Sequence, residues 1–208
     1  MFPNVVIVSE ESSEHDCTRP DAYWLIDPID GTASWFDGFD GFVTQAAYIE
    51  HGVPQYGIVH APVTRKTWTA VLNGGAHLND KLLPMLVSNE RLIMTDNTCT
   101  PHGVSQDIMA LLPTTGYFES GSLGLKSVLV ADGTVDLFVK DVCVRDWDIA
   151  PAAAILHEVG GQLSLAEGSP YLFKGAFEKT NGFIVARDAV LMSRALNAFA
   201  LSKNSGGH

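Results

Sequence analysis

Cysteine is scarce in this 208-residue chain: Cys17, Cys99 and Cys143 are its only three, far apart and without a CxxC spacing. Scattered thiols in odd number fit a reducing, cytoplasmic compartment better than a disulfide framework. Basic charge is scarce as well. Thirteen Lys and Arg face 24 Asp and Glu, for a formal charge of −11. That balance excludes a nucleic-acid polymer or an anionic membrane as the main partner. It leaves room for an anionic small molecule, because a few bound cations invert a local field. No apolar run approaches the roughly 20 residues of a membrane span. The opening MFPNVVIVSEES lacks a basic n-region and does not read as a signal peptide. Repeats and low-complexity stretches are absent too.

What is present is a globular composition, 46% hydrophobic and 18% charged, of a length that suits one large domain or two small ones. The pattern divides into regions 1–103 and 104–208. The first is rich in strands. Residues 4–9 read as a buried strand, 23–27 as another, and 42–50, 55–60 and 66–72 as a meander with Gly, Pro and Asn at its turns. Sparse charge there predicts a sheet covered on both faces. The second region alternates. Helices are expected over 104–112, 122–131, 147–159 and 188–201, and strands over 135–139, 162–165 and 182–185. Asp146 and Asp188 are the expected N-caps, Gly160-Gly161 is a stop, and 202–208 is a frayed tail. The whole reads as a layered α/β (α+β) chain with a site between its two parts.

The most informative stretch is Asp27-Pro28-Ile29-Asp30-Gly31-Thr32. An apolar strand delivers two carboxylates three residues apart, with Pro28 fixing the backbone between them and Gly31 permitting close approach. Carboxylates aimed at one point repel unless a cation lies between them, and oxygen donors of this kind suit Mg²⁺. The free N–H groups of Gly31 and Thr32, opening the next helix, suit a phosphate. Metal on one side and phosphate donors on the other is a phosphoryl-transfer geometry. Glu10-Glu11 after the first strand and Asp146-Trp147-Asp148 at the start of a helix add a cage drawn from three segments: Glu10, Asp27, Asp30 and Asp148.

Ser9-Glu10-Glu11-Ser12, the Asp27–Thr32 motif, and Trp147-Asp148-Ile149-Ala150 with Gly160-Gly161 resemble, in that order, the inositol monophosphatase family. Its superfamily of Mg²⁺-dependent, lithium-sensitive phosphatases includes 3′(2′),5′-bisphosphate nucleotidases, fructose-1,6-bisphosphatases and a class of histidinol phosphatase. The resemblance covers nearly the whole chain and implies a layered α-β-α-β-α sandwich. It implies Glu10 as a metal ligand and Asp27 as a bridge between two Mg²⁺ ions. The Ile29 carbonyl would complete the first site, and Asp30 and Asp148 would hold the second ion, with a third ion as an option. Thr32 and Glu10 would orient a metal-activated water, and the backbone of Gly31 and Thr32 would hold the phosphate.

On the substrate side the resemblance points to Gly121 and Ser122 at the start of a helix and to Asp141, seven residues before Asp148, as a contact to a substrate hydroxyl. Lys126 is reminiscent of the bisphosphate-nucleotidase branch, where a second phosphate needs a cation; pairing with a surface acid is its alternative. The reading is a phosphomonoesterase for an inositol monophosphate-like ester, with bisphosphate nucleotides or histidinol phosphate as alternatives. The family's habit suggests a homodimer. The family's usual two N-terminal helices have no counterpart before the first strand. A fragment, a misplaced start and a true short form are the readings this leaves; a short form would expose the apolar face those helices cover, and a truncated, catalytically weak member acting as a binding subunit is the rival class.

Overall fold

The computed structural model describes residues 5–12 and 19–205. The expected strand start at Asn4, Cys17, and the end of the expected tail lie outside the described residues. Seven strands form the first sheet in chain order. They are β1 (Val6–Ser9), β2 (Ala22–Asp30), β3 (Val43–Glu50), β4 (Val53–Ala61), β5 (Lys66–Val71), β6 (Gly75–Leu78) and β7 (Lys81–Leu82). A short helix, α1 (Thr32–Phe36), lies in the connection from β2 to β3. Strand β1 runs parallel to β2 and the rest pair as an antiparallel meander. The β3–β4 turn takes His51 and Gly52 at φ 50° and 76°, the positive pair a two-residue hairpin needs to follow the strand twist.

The chain passes to the second sheet between Leu82 and Ile93. There β8 (Ile93–Asp96), α2 (Gly103–Leu111), β9 (Gly116–Glu119), α3 (Leu123–Ala131) and β10 (Leu137–Lys140) form parallel crossovers. The short β11 (Val144–Arg145) leads into α4 (Asp146–Val159) and β12 (Gln162–Leu165). Then come β13 (Glu178–Lys179), β14 (Phe183–Ala186) and α5 (Ala189–Ser205). The five-stranded order is β12-β14-β10-β8-β9. Because β10 and β14 are covered on both sides, Leu137-Phe138-Val139 and Phe183-Ile184-Val185 are unbroken apolar runs. Phe138 and Val185 join a core with α3, α4 and the first sheet, while Leu137 and Ile184 pack on the other side with Ile108 of α2 and Leu191 of α5.

The described layers therefore run α2/α5, five-stranded sheet, α3/α4, seven-stranded sheet. Along β2 and β3, Tyr23, Leu25, Ala47 and Ile49 are buried toward α4, as expected of one covered face. Among the described residues, cover on both faces is not what is found. Trp24, Ile26, Ala46, Tyr48, Tyr56 and Ile58, on the opposite face, are only half-buried. Trp24 sits 5.5 Å from Tyr48 and 6.0 Å from Tyr56 between ring centroids, so aromatic rings shield one another there. Nor is β1 the buried strand its composition suggests. Among the described residues it pairs on one side only, and Ile7 is 61% exposed.

Alanine-rich α4 approaches β4 closely. A Cβ at Gly57 would overlap the Pro151 carbonyl oxygen and lie 2.8 Å from the Ala154 Cβ, so glycine sets the helix-to-sheet distance. At its far end Glu158 accepts the N–H groups of Asn73 (2.9 Å) and Gly75 (2.8 Å), fastening the helix to the β5–β6 turn. Gly57→Ala is expected to lower unfolding stability by about 1–3 kcal/mol through overpacking, read as a fall in the urea midpoint at unchanged slope.

Candidate metal centre and active site

In a regular strand Asp27 and Asp30, three apart, would project to opposite faces. They do not, because β2 carries a bulge. Asp27 lies opposite Gln45 and Asp30 opposite Val43, so three steps along β2 match two along β3. The extra residue falls at Pro28-Ile29, where the ladder loses nothing because proline has no N–H to give. Both carboxylates thereby turn inward, Asp27 at 1% and Asp30 at 6% exposure. Asp148 joins them from the first turn of α4. One carboxylate oxygen from each of Asp27, Asp30 and Asp148 can be chosen so that all lie within 4.8 Å of one another. Glu10 follows β1, its N–H donating to the Ile26 carbonyl at 3.2 Å, and its charge acts on both Asp27 and Asp148.

Backbone donors hold each acid. Asp27 accepts the Ile29 N–H at 3.0 Å, Asp30 the Gly124 N–H at 2.7 Å, and Asp148 the Arg145 N–H at 2.8 Å. The last bond corrects the expected cap. Asp146 is the first residue of α4, Arg145 occupies the cap position, and Asp148 reaches back to its amide. Asp146 is instead wholly buried. It pairs with Arg19, accepts the Tyr171 hydroxyl at 3.0 Å and lies 3.7 Å from the Lys179 ammonium, which fixes the start of α4.

Two site residues escaped the sequence reading. Gln45, 1% exposed, donates its amide to Asp30 at 3.0 Å and to the Asp148 carbonyl at 3.3 Å, tying the two acidic segments together. Gly124 admits Asp30: a Cβ there would lie 2.9 Å from its carboxylate and overlap Gln45. Their only sequence signals are an unpaired polar residue in an apolar strand and a glycine inside a helix.

The remaining expected residues divide. The Thr32 hydroxyl, exposed beside the cluster, donates to the Ile29 carbonyl at 3.1 Å. Gly31 takes φ 89°, and a Cβ on it would lie 2.9 Å from that of Ser122. Ser122 caps α3, accepting the Leu125 N–H at 3.1 Å, and also hydrogen-bonds Asp30. Gly121 packs directly on the Gly41 backbone. Gly31, Gly121 and Ser122 therefore build the wall beside Asp30. Asp141 is exposed and paired with Lys203 of α5 at 2.8 Å. Lys126 is no surface residue. It is 2% exposed, donates to the Gly121 carbonyl, lies 4.0 Å from Asp96 and covers the Phe138 ring at 5.0 Å.

The buried Asp27 Oδ2 has no hydrogen-bond partner among the described residues. An orphaned carboxylate oxygen facing like charges fits a hard divalent cation, whose donor set is oxygen. Burial first, then Asp30, Glu10 and Asp148, push the Asp27 carboxyl up to about 9. Burial raises Asp30 to about 6, and burial with the charge of Asp30 raises Asp148 to about 7.

In the unfolded chain these groups ionise near 3.8, so between pH 4 and 9 the metal-free fold binds more protons than the unfolded chain. Their contribution to stability is present below about pH 4 and is lost as pH rises through 6, 7 and 9. A bound cation reverses the trend, because the charged forms are the ligands. The metal-free melting temperature should therefore fall from pH 5.5 to 8.5, while the rise induced by Mg²⁺ should grow. Asp27→Asn should flatten the first and remove the second. A Mg²⁺ effect equal at both pH values would contradict this coupling.

Comparison with known proteins matches this geometry. A model of the inositol monophosphatase family fits residues 1–203. A 3′(2′),5′-bisphosphate nucleotidase CysQ of Aggregatibacter actinomycetemcomitans is 30% identical over 173 residues, 77% of this chain but only 63% of that protein. A fructose-1,6-bisphosphatase/inositol-1-monophosphatase of Thermotoga maritima is 30% identical over 195 residues, 88% of this chain and 71% of that one. The fold superposes on a Thermotoga maritima IMPase with a TM-score of 0.81 at 26% identity, covering 98% of this chain and 77% of the other. With three carboxylates from the bulged strand and α4 converging as the motifs require, the chain belongs to the inositol monophosphatase family.

Proposed function

We propose that this chain is a Mg²⁺-dependent phosphomonoesterase that hydrolyses a small phosphate ester, with inositol monophosphates as the leading substrates. The convergence of Asp27, Asp30 and Asp148, with one buried oxygen left unpaired, carries this reading. Asp27, Asp30, Asp148, Glu10 and the Ile29 carbonyl would hold the ions. Bound Mg²⁺ supplies Lewis acidity, lowering the pKa of water and stabilising the leaving alkoxide. The chain's own groups do the rest. Thr32 Oγ and the Glu10 carboxylate position the attacking water, with Glu10 taking its proton. The Gly31 and Thr32 amides orient the phosphate for in-line attack. Gln45 keeps the Asp30 and Asp148 segments in register through the cycle.

Adenosine 3′,5′-bisphosphate is the alternative substrate, favoured by the 30% identity to a bisphosphate nucleotidase. The reading also places the enzyme in the cytoplasm as a lithium-inhibited homodimer.

Asp27→Asn and Asp148→Asn should each lower phosphate release by more than about a hundredfold, beyond what loss of an outer-shell partner costs. Their far-ultraviolet circular dichroism should match the parent. Release is to be measured from inositol 1-phosphate and adenosine 3′,5′-bisphosphate with and without Mg²⁺. Parent-like, Mg²⁺-dependent rates in either variant would reject the assignment.

A further inference from the structure

The cations around the carboxylates differ in availability. Lys126 is buried and committed to the Gly121 carbonyl and Asp96. The Lys140 ammonium donates to Asp96 at 2.7 Å and to Asn97 at 3.1 Å. Arg19 and Lys179 are spent on buried Asp146. Arg145 is different. Its backbone is fixed twice, by the N–H bond to the Asp148 carboxylate and by pairing with Glu178 in the β11–β13 ladder. Its side chain is 49% exposed, and its one ion pair among the described residues is loose, 3.7 Å to a Glu178 that is itself 49% exposed. Exposed pairs of this kind contribute little. The guanidinium rests over Trp147 at 5.8 Å from the ring centroid, and its charge acts on Asp148. It is therefore a held, half-solvated cation at the Asp148 edge of the cluster.

We propose that Arg145 is a specificity residue, selecting phosphate esters whose leaving group carries a second anionic group, with Glu178 as the internal anion that such a group displaces. This deepens the phosphatase reading and rests on it. A guanidinium is suited to the task because its planar fork meets a phosphate or carboxylate through two parallel N–H bonds. A dianion also outcompetes a single, half-exposed carboxylate at 3.7 Å. Nothing is required of Lys126, which its burial keeps from a substrate. Arg145 and Glu178 act in opposite senses, which separates selection from a structural role: damage to the fold would weaken binding in both variants.

The test is isothermal titration of adenosine 3′,5′-bisphosphate and of adenosine 3′-monophosphate, which keeps the scissile ester and lacks the second phosphate, with Mg²⁺ replaced by Ca²⁺ to suppress turnover, followed by turnover assays with Mg²⁺. Arg145→Gln, which keeps the amide bond to Asp148, should weaken the bisphosphate at least tenfold more than the monophosphate. Glu178→Gln should tighten the bisphosphate severalfold and leave the monophosphate within twofold. Arg145→Lys should recover part of the selectivity. Equal losses for both ligands in Arg145→Gln, weakening in Glu178→Gln, or no bisphosphate binding by the parent would overturn the proposal. Turnover without this selectivity removes Arg145 from substrate choice and leaves the phosphatase reading intact. Selectivity in binding without Mg²⁺-dependent turnover leaves Arg145 in place and removes that reading.

Discussion

Like-charge crowding is the constraint around which this molecule is organised. Asp27, Asp30 and Asp148 bring oxygens within 4.8 Å of one another in a space largely closed to water, where unscreened repulsion would drive them apart. The fold opposes this with fixed dipoles at first contact. Each carboxylate has an oxygen tied by a backbone amide, from Ile29, Gly124 or Arg145. An amide holds an acid without cancelling its charge, so the cluster stays suited to a cation. A lysine in the same place would have ended it. Lys126, the buried ammonium whose charge reaches Asp30, is set back against Asp96 and the Gly121 carbonyl.

Holding acids this way requires segments that do not yield, which explains the polar features flanking the site. Asp146 is buried between Arg19, Lys179 and Tyr171. Removing a single partner from such a group costs about 3–5 kcal/mol, because the remaining charge is stranded. Two residues beyond it stands Asp148, so the clamp fixes the phase of the first turn of α4. On the opposite wall, the loop after α1 and the start of α3 touch backbone to backbone at Gly41 and Gly121, and Ser122 donates its N–H to the Gly41 carbonyl at 2.6 Å. The glycines there are spacing elements. They bring the Gly124 amide within reach of an acid on another sheet.

The features legible in the sequence are those written over short separations. The Asp27–Thr32 motif, the Trp147-Asp148 helix start and the Gly160 stop are each local, and chain order was enough to expect the cage. The layered fold followed from a strand-rich first region and an alternating second one, and its α-β-α-β-α order from the family resemblance. Legibility failed where a residue's role depends on a partner far along the chain. Gln45 meets the Asp148 carbonyl, 103 residues away, and Gly124 meets Asp30 across 94. Asp146 looks like a cap until Arg19 is placed beside it, and Lys126 looks like a surface cation until β8 puts Asp96 next to it. The bulge in β2 is intermediate. Pro28 announces a break in the ladder, yet only the pairing with β3 shows that the break turns both acids to one side.

A net charge of −11 is then less a property of the surface than a condition on the site. Near neutral pH the metal-free cluster does not carry all its charges, since Asp27 keeps a proton up to about 9. The first cation to enter must expel that proton, a penalty that falls as pH rises. A monovalent ion recovers little for that exchange among several carboxylates, whereas a divalent ion neutralises twice the charge at the same point. Crowding of this kind therefore suits a divalent ion before any question of coordination geometry arises. The same crowding argues for a cation at the rim. An anion approaching a cluster of carboxylates meets a repulsive field, and Arg145, held against Asp148 by its own backbone, sets a positive charge beside it.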